Sequence, residues 1–170
     1  MKRISLKHIS SLSVVRLMIM LVCVSIGAGL STAAAQPRAY VANSVDNTVS
    51  VINTATNTVI ATVPVGLGPI GVAITPDGTR VYVTNSLSDD VSVIETTGNT
   101  VIATVSVVDL SGNRGPLGVA ITPDGRRAYV TNSVGDVVTV IDTASNRVTA
   151  TVLVDSHPSW VAITPDGRRA

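Results

Sequence analysis

One phrase occurs three times in this chain. GVAITPDGTRVYVTNS at 71–86 returns as GVAITPDGRRAYVTNS at 118–133, and WVAITPDGRRA at 160–170 starts it again. Tyr40, Tyr82 and Tyr129 head the copies YVANS, YVTNS and YVTNS, spaced by 42 and 47 residues; Ile74, Ile121 and Ile163 head the Ile-Thr-Pro-Asp-Gly copies, spaced by 47 and 42. Between them lie VSVIN, VSVIE and VTVID, then TVIATVPV, TVIATVSV and RVTATVLV. A repeat of this length constrains the fold more than any local signal. Each copy is one supersecondary unit that cannot bury its apolar face alone, so neighbouring copies must stack.

Each period holds four short β-rich runs and no helical pattern, and four strands at that spacing make the blade of a β-propeller. In the TPDG turns, Pro76, Pro123 and Pro165 pre-set φ, and Gly78, Gly125 and Gly167 accept a positive φ. These turns are expected to join the first strand of a blade (A) to the second (B). NTATN, ETTGN and DTASN are expected to close the hairpin from the third strand (C) to the fourth (D). Asn47, Asp89 and Asp136 precede strand C, where a short polar side chain is expected to bond its own backbone.

The wording of the repeat resembles the YVTN family of β-propeller repeats, found in exported and surface-layer proteins. YVTN stands intact at 82–85 and 129–132 and as YVAN at 40–43, and VAITPDG and VSVI also fit. The resemblance spans 38–170. It implies antiparallel four-stranded blades and export, and it implies no activity, because propellers host many unrelated ones.

Strand counting gives an all-β partial propeller. From Tyr40 the chain supplies strands B, C and D, then two full blades, then a lone strand A at Trp160–Thr164, twelve strands or three blade-equivalents. Propellers close with 4–8 blades, so a ring of three is not expected. Two arrangements stay open. The chain is a truncated segment of a longer propeller, or copies assemble, two giving six blades through strand exchange. Unpaired Val- and Ile-rich edges are expected to drive aggregation or self-association.

Residues 1–35 read as a secretory signal peptide. Lys2, Arg3, Lys7 and Arg16 precede the apolar run from Leu17 to Leu30, and Ala33 and Ala35 suit a small-residue cleavage site. Bulky Val22 before Cys23 argues against a lipoprotein site. With the signal removed, no membrane span is expected, and the repeat region 36–170 keeps eight Arg against eleven acidic residues. That balance offers no basic face for nucleic acid. No cysteine remains in that region, so no disulfide supports it, and the core is expected to be Val, Ile, Leu and Ala.

Functional residues should lie where the repeat is broken, on loops held by a rigid scaffold. VVDLSGNRGPLG is five residues longer than VGLGPIG and brings Asp109, Asn113 and Arg114 to the face of the D-to-A loops. In DSHPSW, His157 stands where Gly68 and Gly115 stand, and Trp160 replaces Gly71 and Gly118. These five are the candidate ligand- or partner-binding residues; Trp160 is also read as a space-filler at a blade boundary. Asp77, Asp124 and Asp166 keep register with the repeat and are read as turn residues, and Glu95 holds a hairpin position. No catalytic set, metal set or cofactor motif emerges. The chain is expected to be an exported, non-catalytic scaffold or interaction module with a protein or glycan partner. The alternative is part of a periplasmic propeller enzyme, quinoprotein-dehydrogenase-like or lactonase-like, with its reacting residues on other blades.

Overall fold

The computed structural model describes residues 37–108 and 115–170. The segment read as a signal, with Cys23, and the loop residues Asp109, Asn113 and Arg114 lie outside the described residues.

Three antiparallel sheets follow one another along the chain. The first holds β1 (Arg38–Asn43), β2 (Thr48–Asn53) and β3 (Thr58–Pro64). The second holds β4 (Pro69–Ile74), β5 (Arg80–Asn85), β6 (Asp90–Glu95) and β7 (Thr100–Ser106). The third holds β8 (Pro116–Ile121), β9 (Arg127–Asn132), β10 (Val137–Asp142) and β11 (Arg147–Leu153). Each is a meander whose spatial order is its chain order, as a blade requires. A register shift recurs at Val51/Ile52, Val93/Ile94 and Val140/Ile141, where each C strand meets its D strand.

The core lies between blades. One cluster joins Val49, Val51 and Val63 of the first sheet to Val81, Val83 and Ile94 of the second. The other joins Tyr82, Val91, Val93 and Val105 to Ala128, Val130 and Ile141 of the third. The two-residue alternation of a strand explains the split. Val81 and Val83 point to one neighbour while Tyr82, between them, points to the other. The middle blade therefore buries both faces, and β5 is buried from Val81 to Asn85, whereas β11 is exposed throughout.

The TPDG turns form as read. Gly78 N donates to Thr75 O at 2.8 Å with φ +70° at Gly78, and Gly125 and Gly167 repeat the turn. One expectation fails at the C-terminal end. Trp160–Thr164 was read as strand A of a further blade, but eleven strands form among the described residues and these five residues belong to none. A strand exists only through its ladder, and no described strand B runs alongside this segment. Its turn still closes, with Thr164 N donating to Arg169 O at 2.9 Å.

Candidate functional site

Three kinds of hydrogen bond fasten successive blades. The first kind corrects the sequence reading. Asn47, Asp89 and Asp136 each bond the loop leading to the next blade. Oδ1 of each accepts from the backbone N–H of Gly68 (2.9 Å), Gly115 (3.0 Å) and His157 (2.8 Å). The acceptors sit in the left-handed region, with φ of 55°, 56° and 52°, which swings the short side chain outward. His157 carries φ +60° where its counterparts are glycines at +62° and +73°. Its backbone serves the repeat and its imidazole is exposed.

The second kind runs through the Thr of the YVTN phrase. Gly71 N donates to Thr84 Oγ1 at 2.8 Å, and that hydroxyl donates to Leu117 O in the next blade at 2.6 Å. Thr131 does the same, accepting from Gly118 N at 2.9 Å and donating to Ser159 O at 3.0 Å. The approach leaves no room for a side chain. A Cβ on Gly71 would stand 2.3 Å from Leu117 O, and one on Gly118 2.8 Å from Ser159 O.

The third kind is a clamp at the outer turns. The guanidinium of Arg38 donates to Thr96 O, and that of Arg80 to Thr143 O. Tyr82 OH donates to Asn146 Oδ1 at 2.7 Å, and burial pushes its phenol pKa up. Arg127 and Tyr129 hold the same positions on the third blade. No carbonyl among the described residues answers Arg127, which is exposed.

The carboxylates are committed to turns. Asp77 accepts from Thr75 Oγ1 at 2.6 Å and Thr79 N at 3.0 Å; Asp124 from Thr122 Oγ1 at 2.6 Å and Arg126 N at 3.0 Å; Asp166 from Thr164 Oγ1 at 2.5 Å and Arg168 N at 3.0 Å. In each case the threonine hydroxyl leads in holding the carboxyl below its ordinary value of 3.8, with the backbone N–H second. Glu95 is lowered by the Gly98 N–H, and Asp142 by the Ser145 hydroxyl and N–H. A cavity of about 340 Å³ between the second and third blades is walled by Asp77 and Asp124, both turned to their own loops. Among the described residues no three His, Cys, Asp or Glu are grouped to hold a metal ion, and no helix is long and apolar enough to cross a membrane.

The feature these bonds leave unused is the outward face of the third blade. A groove of about 500 Å³ runs over it, lined by Tyr129, Thr131, Val138, Val152, Val154 and Trp160 among others. Trp160 is 73% exposed and Val152 48%. The structure thus separates the described candidates, with His157 on the loop turn and Trp160 in the groove. The sequence reading singled out Trp160 but passed over Tyr129, Val152 and Val154. Their signal was the two-residue alternation in RVTATVLV, which keeps an apolar stripe that no described residue covers.

Residues 6–112 match the model of the YNCE-like beta-propeller family. No curated protein matches in sequence. Among solved structures, Kuenenia stuttgartiensis hydrazine synthase is similar at 30% identity with a TM-score of 0.71, over 84% of this chain and 43% of that one. A putative 6-phosphogluconolactonase from Bacteroides uniformis is similar at 17% identity with a TM-score of 0.66, over 77% and 42%. A functionally unknown protein from Desulfotomaculum acetoxidans aligns at 21% identity with a TM-score of 0.58, over 71% and 39%. The latter two show the fold alone. The chain spans about two fifths of the length of these solved chains.

Proposed function

The chain belongs to the YNCE-like beta-propeller family, and from that premise we propose that it is an exported, non-catalytic scaffold that works as a protein-interaction module through the open face of its third blade. The observation that carries this reading is the groove beside Trp160, an apolar sheet face of the kind that every other blade boundary here seals. The committed carboxylates support it, since Asp77, Asp124 and Asp166 cap turns rather than point at a shared reacting centre. The YVTN-like wording of the repeat supports export, as does the order of basic, apolar and small residues in 1–35.

A photoreactive residue placed at Val152, which lines the groove, in cells that produce the chain tests it. The expected result is a covalent adduct with a protein, in the exported fraction. An adduct-free chain, or one retained in the cytoplasm, sinks the reading. A second reading, a share in an enzyme whose reacting groups lie elsewhere, draws on the 30% identity to hydrazine synthase. A turnover assay of the isolated assembly decides between the two.

A further inference from the structure

We propose that the open face of the third blade is covered by the first blade of a second copy of this chain. Residues 160–164 of each copy serve as the missing innermost strand of the other's first sheet, so that two chains close one six-bladed ring. This rests on the reading of that face as a protein-docking surface and names what docks there.

The two ends are the halves of one seam. Val152 and Val154 are 48% and 40% exposed on the third blade, whereas their counterparts on the second, Val105 and Val107, are 6% and 2% exposed beneath the third. At the other end Val41 is 44% exposed, whereas its counterparts Val83 and Val130 are sealed at 0% by the preceding blade. Each end carries the apolar stripe that the opposite end lacks a cover for.

The polar ties transfer in the same way. Arg38 and Arg80 each reach the carbonyl of the threonine that opens the C-to-D turn of the next blade. For Arg127 the corresponding acceptor is Thr54 O of the second copy. Tyr82 OH reaches Asn146 Oδ1; for Tyr129 the corresponding residue is Asn57, held at φ +54° as Asn146 is at +53°.

The strand exchange has a register. The first sheet has three strands where the others have four, and the edge of β1 is where strand A would lie. In the second blade Val72, Ala73 and Ile74 face Val83, Tyr82 and Val81. By the repeat, Val161, Ala162 and Ile163 face Val41, Tyr40 and Ala39 of the second copy. The segment is already fastened on its inner side, His157 N to Asp136 and Ser159 O to Thr131. Only its pairing edge lacks a ladder.

Side-chain sizes at the seam agree. In the second and third blades strand A sets Gly71 or Gly118 beside Thr84 or Thr131 of strand B. In the exchanged blade the pair becomes Trp160 beside Ala42. Glycine and threonine are the two residues that draw neighbouring blades together, one by lacking a Cβ and the other by tying strand A to the next blade. Both change at once: the third blade keeps its own tie, Thr131 to Ser159 O, while Ala42, smaller than Thr84 and without its hydroxyl, leaves room for the indole between β1 and β4 of the second copy. A twofold axis along the ring then relates two identical seams, a closed arrangement, and six blades lie within the range that closes. The solved chains similar to this one are more than twice as long as the part it matches, so two copies supply a comparable amount of sheet.

Sedimentation velocity of the full chain tests the proposal. The expected species is a dimer, with twice the mass of the chain sedimented. Ala42→Thr, which crowds the indole, and Trp160→Gly, which leaves a hole over Ala42, each weaken dimerisation at least tenfold. The double variant, which restores the Gly–Thr pair of the other blades, recovers it. A strict monomer, an open-ended polymer, or a dimer that the double variant fails to recover overturns the pairing. A protein adduct at Val152 from a chain that is monomeric in solution overturns the second copy as the partner and leaves the docking surface standing.

Discussion

Thr84→Val should destabilise this fold far more than its one-atom change suggests. Thr84 is fully buried, and its hydroxyl accepts from Gly71 N (2.8 Å) and donates to Leu117 O (2.6 Å). Neither backbone group belongs to the β4–β5 or β8–β9 pairing, because both lie in the register shifts at Pro69/Val72 and Pro116/Val119. Valine keeps the shape, so packing hardly changes. It strands one buried donor and one buried acceptor, each costing about 1–3 kcal/mol. The extra buried methyl returns about 0.8 kcal/mol. The net loss is about 3 kcal/mol, a fall of roughly 10 °C in Tm for a chain of this size. Thr84→Ser keeps both hydrogen bonds and deletes one methyl, costing about 1 kcal/mol. Urea unfolding followed by far-UV circular dichroism, at one fixed chain concentration because association adds to stability, compares the three proteins. If Val is no more harmful than Ser, the hydroxyl is not what joins these blades.

Two further outcomes follow from the same bonds. Arg80→Ala removes the clamp on Thr143 O and should cost about 1.5–3 kcal/mol. Arg127→Ala should change the unfolding of the isolated chain by under about 0.5 kcal/mol and instead weaken dimerisation in sedimentation. The carboxylates set the acid response. The native pKa values of Asp77, Asp124 and Asp166 lie below the ordinary 3.8, so their contribution is fully present above that value and is lost as pH falls below it through the native ones. Urea midpoints should therefore hold from neutral pH to about 5 and drop below about 4, and Asp124→Ala should flatten that drop; a midpoint equally high at pH ~2 would contradict the assignment.

Much of the blade was legible because its cues are local. The TPDG turns state their own geometry, since Pro76 and Gly78 satisfy φ within four residues. The alternation in VSVIN and its copies tells which residues leave which face of a strand. Asp77 could be read as a turn residue for the same reason, as its partners lie two residues away on either side. The Asn47, Asp89 and Asp136 positions were misread because their partners lie 21, 26 and 21 residues on. An Asx side chain carries no sequence mark of whether it bonds near or far. Likewise the failure of Trp160–Thr164 to become a strand lies in the missing neighbour, not in its own residues.

The sequence by itself determined the repeat, the four-strand unit, the turns and the odd residues at 157 and 160, because each depends on propensities and spacings within one period. Tertiary structure alone decided which faces are sealed and which are open. It also decided that the Thr of the YVTN phrase is a bridge between blades, and that Gly71 and Gly118 are glycines because another backbone passes within 3 Å of the missing Cβ. Those facts arise between periods. A repeat specifies the unit, but the free energy that holds units together comes from contacts no single unit contains.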